Sequence, residues 1–184
     1  CKYCMEGFRQ YLEKNTTPEQ RAALGVGDIA TFSYRDHLKK AGAPVGDALR
    51  GWSGGELKAL FQKFQFGSTV AYHKWWRQAL DDYAKRHVVV SCNNGTYGFT
   101  EIYQPFDYFQ AELVSRYARP EYLYEAMGKA AALGKMQVVK MPQRSKMPDP
   151  SDVAELKKWE THTRQTIATS YAVGGLCRVP WDCY

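Results

Sequence analysis

The chain has 184 residues, 45% hydrophobic and 14% aromatic, enough apolar material for a sizeable core. Its mean hydropathy is −0.51, and no apolar run approaches the roughly 18–20 residues of a spanning helix, which points away from a membrane partner. Lysine plus arginine exceed aspartate plus glutamate by 25 to 19, a formal charge of +6, but the basic residues are scattered and form no arginine-rich stripe or nucleic-acid motif, so nucleic acid is not an expected partner either.

The chain opens on Cys1 with no leader-like segment, and Tyr184 closes an apolar run. Both ends read as cut, which suggests a piece of a longer protein. A first helix is predicted over about residues 3–14, with Phe8, Tyr11 and Leu12 on one face. Thr17-Pro18-Glu19-Gln20 has the pattern of a capping box with proline at the first helical position, starting a short helix that stops at Gly25 or Gly27. Ser33 opens another short helix that ends near Gly42 and Pro44. Residues 43–55 read as loop.

Ser53 is the expected cap of the longest helix, roughly 56–86. Leu57, Leu60, Phe61 and Phe64 begin its apolar face, and Ala71, Trp75, Ala79 and Tyr83 continue it. Val88 to Cys92 is a β-branched run ended by Asn93-Asn94-Gly95, the pattern of a fully buried strand. A second strand is expected over Asp107–Leu113, and a helix from Pro120 to Gly134. A third strand covers Met136–Met141. Pro148, Pro150 and Ser151 introduce a helix of about 20 residues ending at Gly174-Gly175. A fourth strand reads Leu176–Pro180.

Helices and buried strands thus alternate, as in the βα units of an α/β fold. An open doubly wound sheet and a (β/α)8 barrel both fit, and four strands do not close a barrel by themselves. Of the five cysteines, Cys92 and Cys177 fall within strand-like runs and read as buried thiols. Cys1 and Cys4 form a CxxC that can contribute two ligands to a structural zinc, which needs four. No GxSxG, P-loop or GxGxxG occurs, so a triad hydrolase or a nucleotide enzyme has no footing here.

In a parallel α/β fold, sites gather at the C-terminal ends of strands. That rule selects Asn93 and Asn94, Glu112, Gln143 with Arg144, and Trp181 with Asp182. These residue types suit a sugar site. Carboxylates act as acid, base or nucleophile at an acetal carbon, amides bind hydroxyls, and an indole face covers a sugar ring.

The order of features resembles the catalytic barrel of family 42 β-galactosidases and related glycoside hydrolases. Cys1-x-x-Cys4 leading into Phe8-Arg9-Gln10-Tyr11-Leu12 is similar to that family's cysteine cluster and its Phe-Arg-x-Trp-Leu helix. Trp75-Trp76-Arg77 before Val88–Asn94 is similar to its Trp-rich helix before the fifth strand. Glu112 resembles the acidic end of the sixth strand. Ser170–Gly175 followed by Arg178-Val179-Pro180-Trp181-Asp182 resembles the approach to the eighth.

The resemblance implies a partial (β/α)8 TIM barrel running from about the fourth helix through the eighth strand, with residues 1–184 as its C-terminal half. It implies hydrolysis of a glycosidic bond in a carbohydrate substrate through a carboxylate pair. Glu112 and Asp182 are the candidates, with Asn93, Asn94, Gln143 and Trp181 as substrate-binding residues. No cofactor is implied for catalysis, and a zinc through Cys1 and Cys4 would be structural.

The chain also departs from the family. The family's general acid would precede Cys1. The strand Val138-Val139-Lys140-Met141-Pro142 lacks the carboxylate expected at the end of the seventh strand. The alternative is a carbohydrate-binding pseudoenzyme. A half-barrel leaves an open sheet edge, which predicts poor solubility for this piece alone.

Overall fold

A computed structural model describes residues 2–94, 100–112, 120–140 and 147–178, and for Glu112 the backbone alone. The chain divides into two compact units, residues 1–71 and 72–184. Helix α5 (Gly55–Ala84) contributes its first half to the one and its second half to the other.

The first unit is helical, with α1 (Lys2–Asn15), α2 (Pro18–Ala23), α3 (Tyr34–Lys40), α4 (Ala48–Gly51) and the start of α5. The capping box at Thr17 forms as its sequence predicts, with Gln20 N–H donating to Thr17 Oγ1 at 3.2 Å and Thr17 N–H to Gln20 Oε1 at 2.8 Å. Ser33 caps α3 through Asp36 N–H. Phe8 and Leu12 of α1 are buried with Val26, Tyr34 and Leu57. Rings stack around Phe8, with Phe61 edge-on at 4.9 Å and Tyr34 at 5.5 Å. Each fully buried side chain of this size contributes about 1.5–3 kcal/mol to folding.

Two expectations fail in this unit. Residues 43–55 are not all loop, because α4 forms there. The Lys58 ammonium donates to the carbonyls of Leu49, Arg50 and Trp52, satisfying acceptors that such a short helix leaves open. Ser53 is not the cap of α5: the helix begins at Gly55, and its first turn bonds Lys58 N–H to the Gly54 carbonyl.

The second unit is a parallel sheet of four strands in the order β1-β2-β3-β4. The strands are β1 (Ser91–Asn93), β2 (Tyr108–Glu112), β3 (Met136–Lys140) and β4 (Leu176–Arg178). Helix α6 (Pro120–Ala132) joins β2 to β3, and α7 (Val153–Ala172) joins β3 to β4. The two helices pack on each other and on the strands that follow them. Right-handed crossovers that always advance in one direction place their helices on one sheet face.

That covered face carries Phe109, Ala111, Gln137 and Val139, all buried. Leu123 and Met127 of α6 close over Val139. Helix α7 turns small residues inward, Thr166 and Ser170, whose hydroxyls bond carbonyls of their own helix at 2.9 and 2.7 Å. Those bonds leave no polar cost to burying them. Both helices end in the same way. Gly134 and Gly174 take positive φ, and the next N–H reaches back five residues, Lys135 to Ala130 and Gly175 to Ser170. This Schellman turn feeds the chain directly into the next strand.

Strand β1 is shorter and less buried than its sequence predicts. Val88 and Val90 present their N–H groups to carboxylates, Asp81 Oδ1 and Asp107 Oδ2, both at 2.8 Å. Those donors are unavailable to a ladder, so pairing starts at Ser91, and Val89 is exposed. The predicted apolar face of α5 also fails beyond Gly67, although the helix runs through that glycine unbroken. Trp75 and Tyr83 are exposed, at 64% and 89%. Instead, within the second unit, His73 and Trp76 hold Phe106, at ring separations of 5.3 and 6.0 Å. The thiols of Cys92 and Cys177 are half-buried rather than buried. No helix among the described residues is long and apolar enough to cross a membrane.

Candidate functional site

Among the described residues, the sheet face opposite α6 and α7 is partly exposed. Strand alternation and register assign its residues. The ladder aligns Ser91, Tyr108 and Met136 in one row, and Asn93, Gln110, Val138 and Leu176 in the next. Glu112, Lys140 and Arg178 form the third row, at the C-terminal ends of the strands.

A groove of about 770 Å³ lies on this face, lined by Tyr108, Gln110, Met136, Val138, Leu176 and Arg178 among others. Its floor is mixed. Met136 and Leu176 are each 43% exposed. Gln110 links three strands, donating through Nε2 to Ser91 Oγ at 2.6 Å and accepting at Oε1 from Arg178 Nη1 at 2.7 Å. The arrangement offers amide, hydroxyl and guanidinium groups beside an apolar strip, which suits a ligand with both hydroxyls and C–H faces.

Below the sheet, at the N-terminal ends of β1 and β2, a charged cluster fixes the geometry. Arg77 grips Asp81 with two bonds, at 2.6 and 3.1 Å, and reaches Asp107 at 3.2 Å. Arg77 Nη2 also meets His87 Nδ1 at 2.9 Å. A guanidinium only donates, so Nδ1 accepts and the ring proton sits on Nε2, which donates to Asp107 Oδ1 at 2.6 Å. The Val88 N–H, with the Arg77 guanidinium, lowers the pKa of Asp81 against some desolvation. Burial opposes ionisation of Asp107, but the Val90 N–H, His87 and Arg77 outweigh it and lower its pKa too. These carboxylates are committed to holding α5 against the sheet entrance, and they stand at the opposite end of the strands from the Glu112 row.

The residues expected to form a site fall into three groups. Asn93 is exposed at the end of β1, in register with Gln110, and the Glu112 backbone closes β2 beside Lys140. Asn94 lies elsewhere: it is 1% exposed, and its amide pairs with Gln137 on the covered side. Gln143, Trp181, Asp182 and Cys1 lie outside the described residues, as does Arg144. Cys4 is exposed on α1. The described residues assemble no group of three or more His, Cys, Asp or Glu side chains that could hold a metal ion, so they do not by themselves make up a zinc site.

Sequence reasoning missed Ser91, Gln110, Lys140 and Arg178. Their signal was the two-residue alternation within each strand, which puts Gln110 on the same face as Glu112 and Lys140 on the same face as Val138. Compared with known proteins, the chain matches no family model, no curated protein and no solved structure.

Proposed function

We propose that the second unit is part of a (β/α)8 barrel of glycoside-hydrolase type, resembling the family 42 β-galactosidases, which binds a carbohydrate at the C-terminal ends of its strands. The observation that carries this reading is the strand order. Doubly wound sheets reverse direction at a switch point, whereas barrel strands follow one another in sequence with all helices outside. Four parallel strands in the order β1-β2-β3-β4, with α6 and α7 packed together, agree with the second arrangement. The partly exposed face is then the barrel interior. Glu112 and Asp182 serve as the carboxylates, and Asn93, Gln143 and Trp181 serve as sugar contacts with Gln110 beside them. Water adds across the glycosidic bond: its oxygen goes to the anomeric carbon and a proton goes to the departing oxygen. Asn94 is a positioning residue in this scheme. A zinc through Cys1 and Cys4 would be structural and take no part in the reaction.

A second reading, a sugar-binding pseudoenzyme, draws support from Lys140. It ends β3, where the resemblance calls for a nucleophilic carboxylate. A panel of aryl glycosides with the full chain, wild type against Glu112→Gln, separates the two. Turnover that is lost in E112Q while sugar binding persists supports the hydrolase. Sugar binding without turnover in the wild type supports the pseudoenzyme. Neither binding nor turnover overturns both.

A further inference from the structure

We infer that Gln110 is the specificity residue of the groove and reads two neighbouring hydroxyls of a sugar ring, with Ser91 and Arg178 as the positioning residues that aim its amide. The inference rests on the carbohydrate reading above and deepens it. It names the group that the site selects, an unsubstituted pair of hydroxyls on adjacent ring carbons.

The first argument is the direction of the hydrogen bonds. A guanidinium only donates, so the Gln110 atom that Arg178 Nη1 meets at 2.7 Å is the amide oxygen. The other end of the amide is then the nitrogen, which donates to Ser91 Oγ at 2.6 Å. Donation thus runs one way across the sheet, from β4 to β2 to β1. The Arg178 bond spans β3, which lies between β2 and β4. An amide held at one end can turn over and exchange its donor for its acceptor. Gln110 is held at both ends, so its donor and acceptor keep their places.

The second argument is what these bonds leave over. A side-chain amide has two N–H donors and two lone pairs on its oxygen. Among the described residues the Gln110 amide makes those two bonds, so one N–H and one lone pair remain. Gln110 is half-buried and lines the groove. A donor and an acceptor on one carbon match two hydroxyls on adjacent ring carbons, one accepting from Nε2 and the other donating to Oε1. Ordering a glutamine costs rotamer freedom, and here the two bonds within the sheet have already ordered it. The free donor and acceptor are therefore preorganised for the ligand. Val138 and Leu176 follow Gln110 in its register row, and Met136 stands in the row before. They form the apolar strip on which the C–H face of the ring would lie.

The test is calorimetric titration of the full chain with the methyl glycosides of glucose, galactose and mannose, then with the monodeoxy analogues of the one that binds most tightly. In the wild type, removing either of two adjacent hydroxyls should weaken binding by about 2- to 10-fold, the range for one neutral hydrogen bond. In Gln110→Leu those two losses should disappear, while losses at other ring positions stay. Ser91→Ala leaves the amide held at its oxygen alone. It should shrink the same two losses and no others, a position-specific change that general weakening of the sheet would not produce. This variant decides the matter where Q110L does not fold or binds too weakly to titrate. Losses that are the same in the variants as in the wild type, or that vanish at positions not adjacent on the ring, overturn the inference and leave the carbohydrate reading standing. No binding of any of the three glycosides overturns both.

Discussion

Asn94 and Gln137 exchange two amide hydrogen bonds in the interior, Asn94 Nδ2 to Gln137 Oε1 at 2.8 Å and Gln137 Nε2 to Asn94 Oδ1 at 3.2 Å. The second hydrogen of Gln137 Nε2 goes to the Val138 carbonyl at 3.1 Å. Asn94 N–H bonds the Gln110 carbonyl at 2.9 Å. One residue after β1 thus ties that strand to β2 by its backbone and to β3 by its side chain. Both side chains are 1% exposed, so a lost partner would not be replaced by bulk water.

Asn94→Ala and Gln137→Ala should each therefore lower the unfolding free energy by about 1–3 kcal/mol, the cost of a buried amide left unpaired. The double variant with alanine at both positions should cost clearly less than the sum of the two single changes. Chemical denaturation in a double-mutant cycle measures the coupling. Additive losses would show that the two amides do not act as a pair.

Asn94 also shows where the sequence was legible and where it was not. Element identity was written in local signals. The Thr17 box, the Ser33 cap, and Gly134 and Gly174 at the ends of α6 and α7 all have the structures that their residues predict. Those signals are short-range, because caps and turns involve neighbours in the chain. Asn94 reads as a strand-end ligand because it follows the first β-branched run, at the end of a strand where parallel α/β folds gather their sites. Its partner stands 43 residues away, and no local pattern discloses that. The early start expected for β1 failed for a similar reason. Asp107 takes the Val90 N–H from 17 residues away, a competition that β-propensity does not register. The face of α5 beyond Gly67 is decided by His73 and Arg77, polar residues that a count of apolar spacing passes over. Within the candidate site, the position of Glu112 at a strand end was legible from its strand. The Arg178–Gln110–Ser91 link was not, because it depends on the register of three strands.

The Arg77 cluster should make the second unit sensitive to acid. Asp81 and Asp107 both have pKa values lowered from the ordinary 3.8. A carboxylate whose folded pKa is depressed stabilises the fold above its unfolded value, and that contribution is lost as pH falls through the folded value. The window lies below about pH 4. Asp107→Asn should be less stable than the wild type at pH 7, and the gap between them should narrow as pH drops below 3.8. Thermal melts from pH 7 to pH 2 would check this. A gap that stays constant across the range would show that the charge on Asp107 contributes nothing.

Cys92 should be nearly inert as a nucleophile. Burial pushes its thiol up to about 11, with Lys135 opposing the shift. Only the thiolate reacts, so at pH 8 about one Cys92 in a thousand is in reactive form. Cys4 is exposed on α1. Iodoacetamide at pH 8, followed by peptide mass analysis, should label Cys4 well before Cys92. Comparable labelling rates in the folded chain would contradict the burial of Cys92. Unfolding in denaturant should make the two equal.

Lys85 is the one described non-glycine residue with positive φ, at 52°. It follows the end of α5, and the turn has the same pattern of bonds as those closed by Gly134 and Gly174. Lys85 N–H reaches Asp82 O at 3.4 Å, and Arg86 N–H reaches Asp81 O at 3.3 Å. A left-handed conformation costs an L-residue about 1–2 kcal/mol, and glycine escapes this cost. Two smaller effects oppose the gain. Glycine gives up more chain entropy on folding, and a lysine near the helix C-terminus is favoured by the helix dipole by about 0.3–1 kcal/mol. Lys85 is exposed and makes no ion pair among the described residues, so nothing else is lost with its side chain. Lys85→Gly should therefore stabilise the chain by about 0.5–1 kcal/mol, and Lys85→Val should destabilise it, because a β-branched residue fits the left-handed region poorly. Denaturant midpoints of the two variants would check the ordering. A valine variant as stable as the glycine variant would mean that α5 does not end in a left-handed turn.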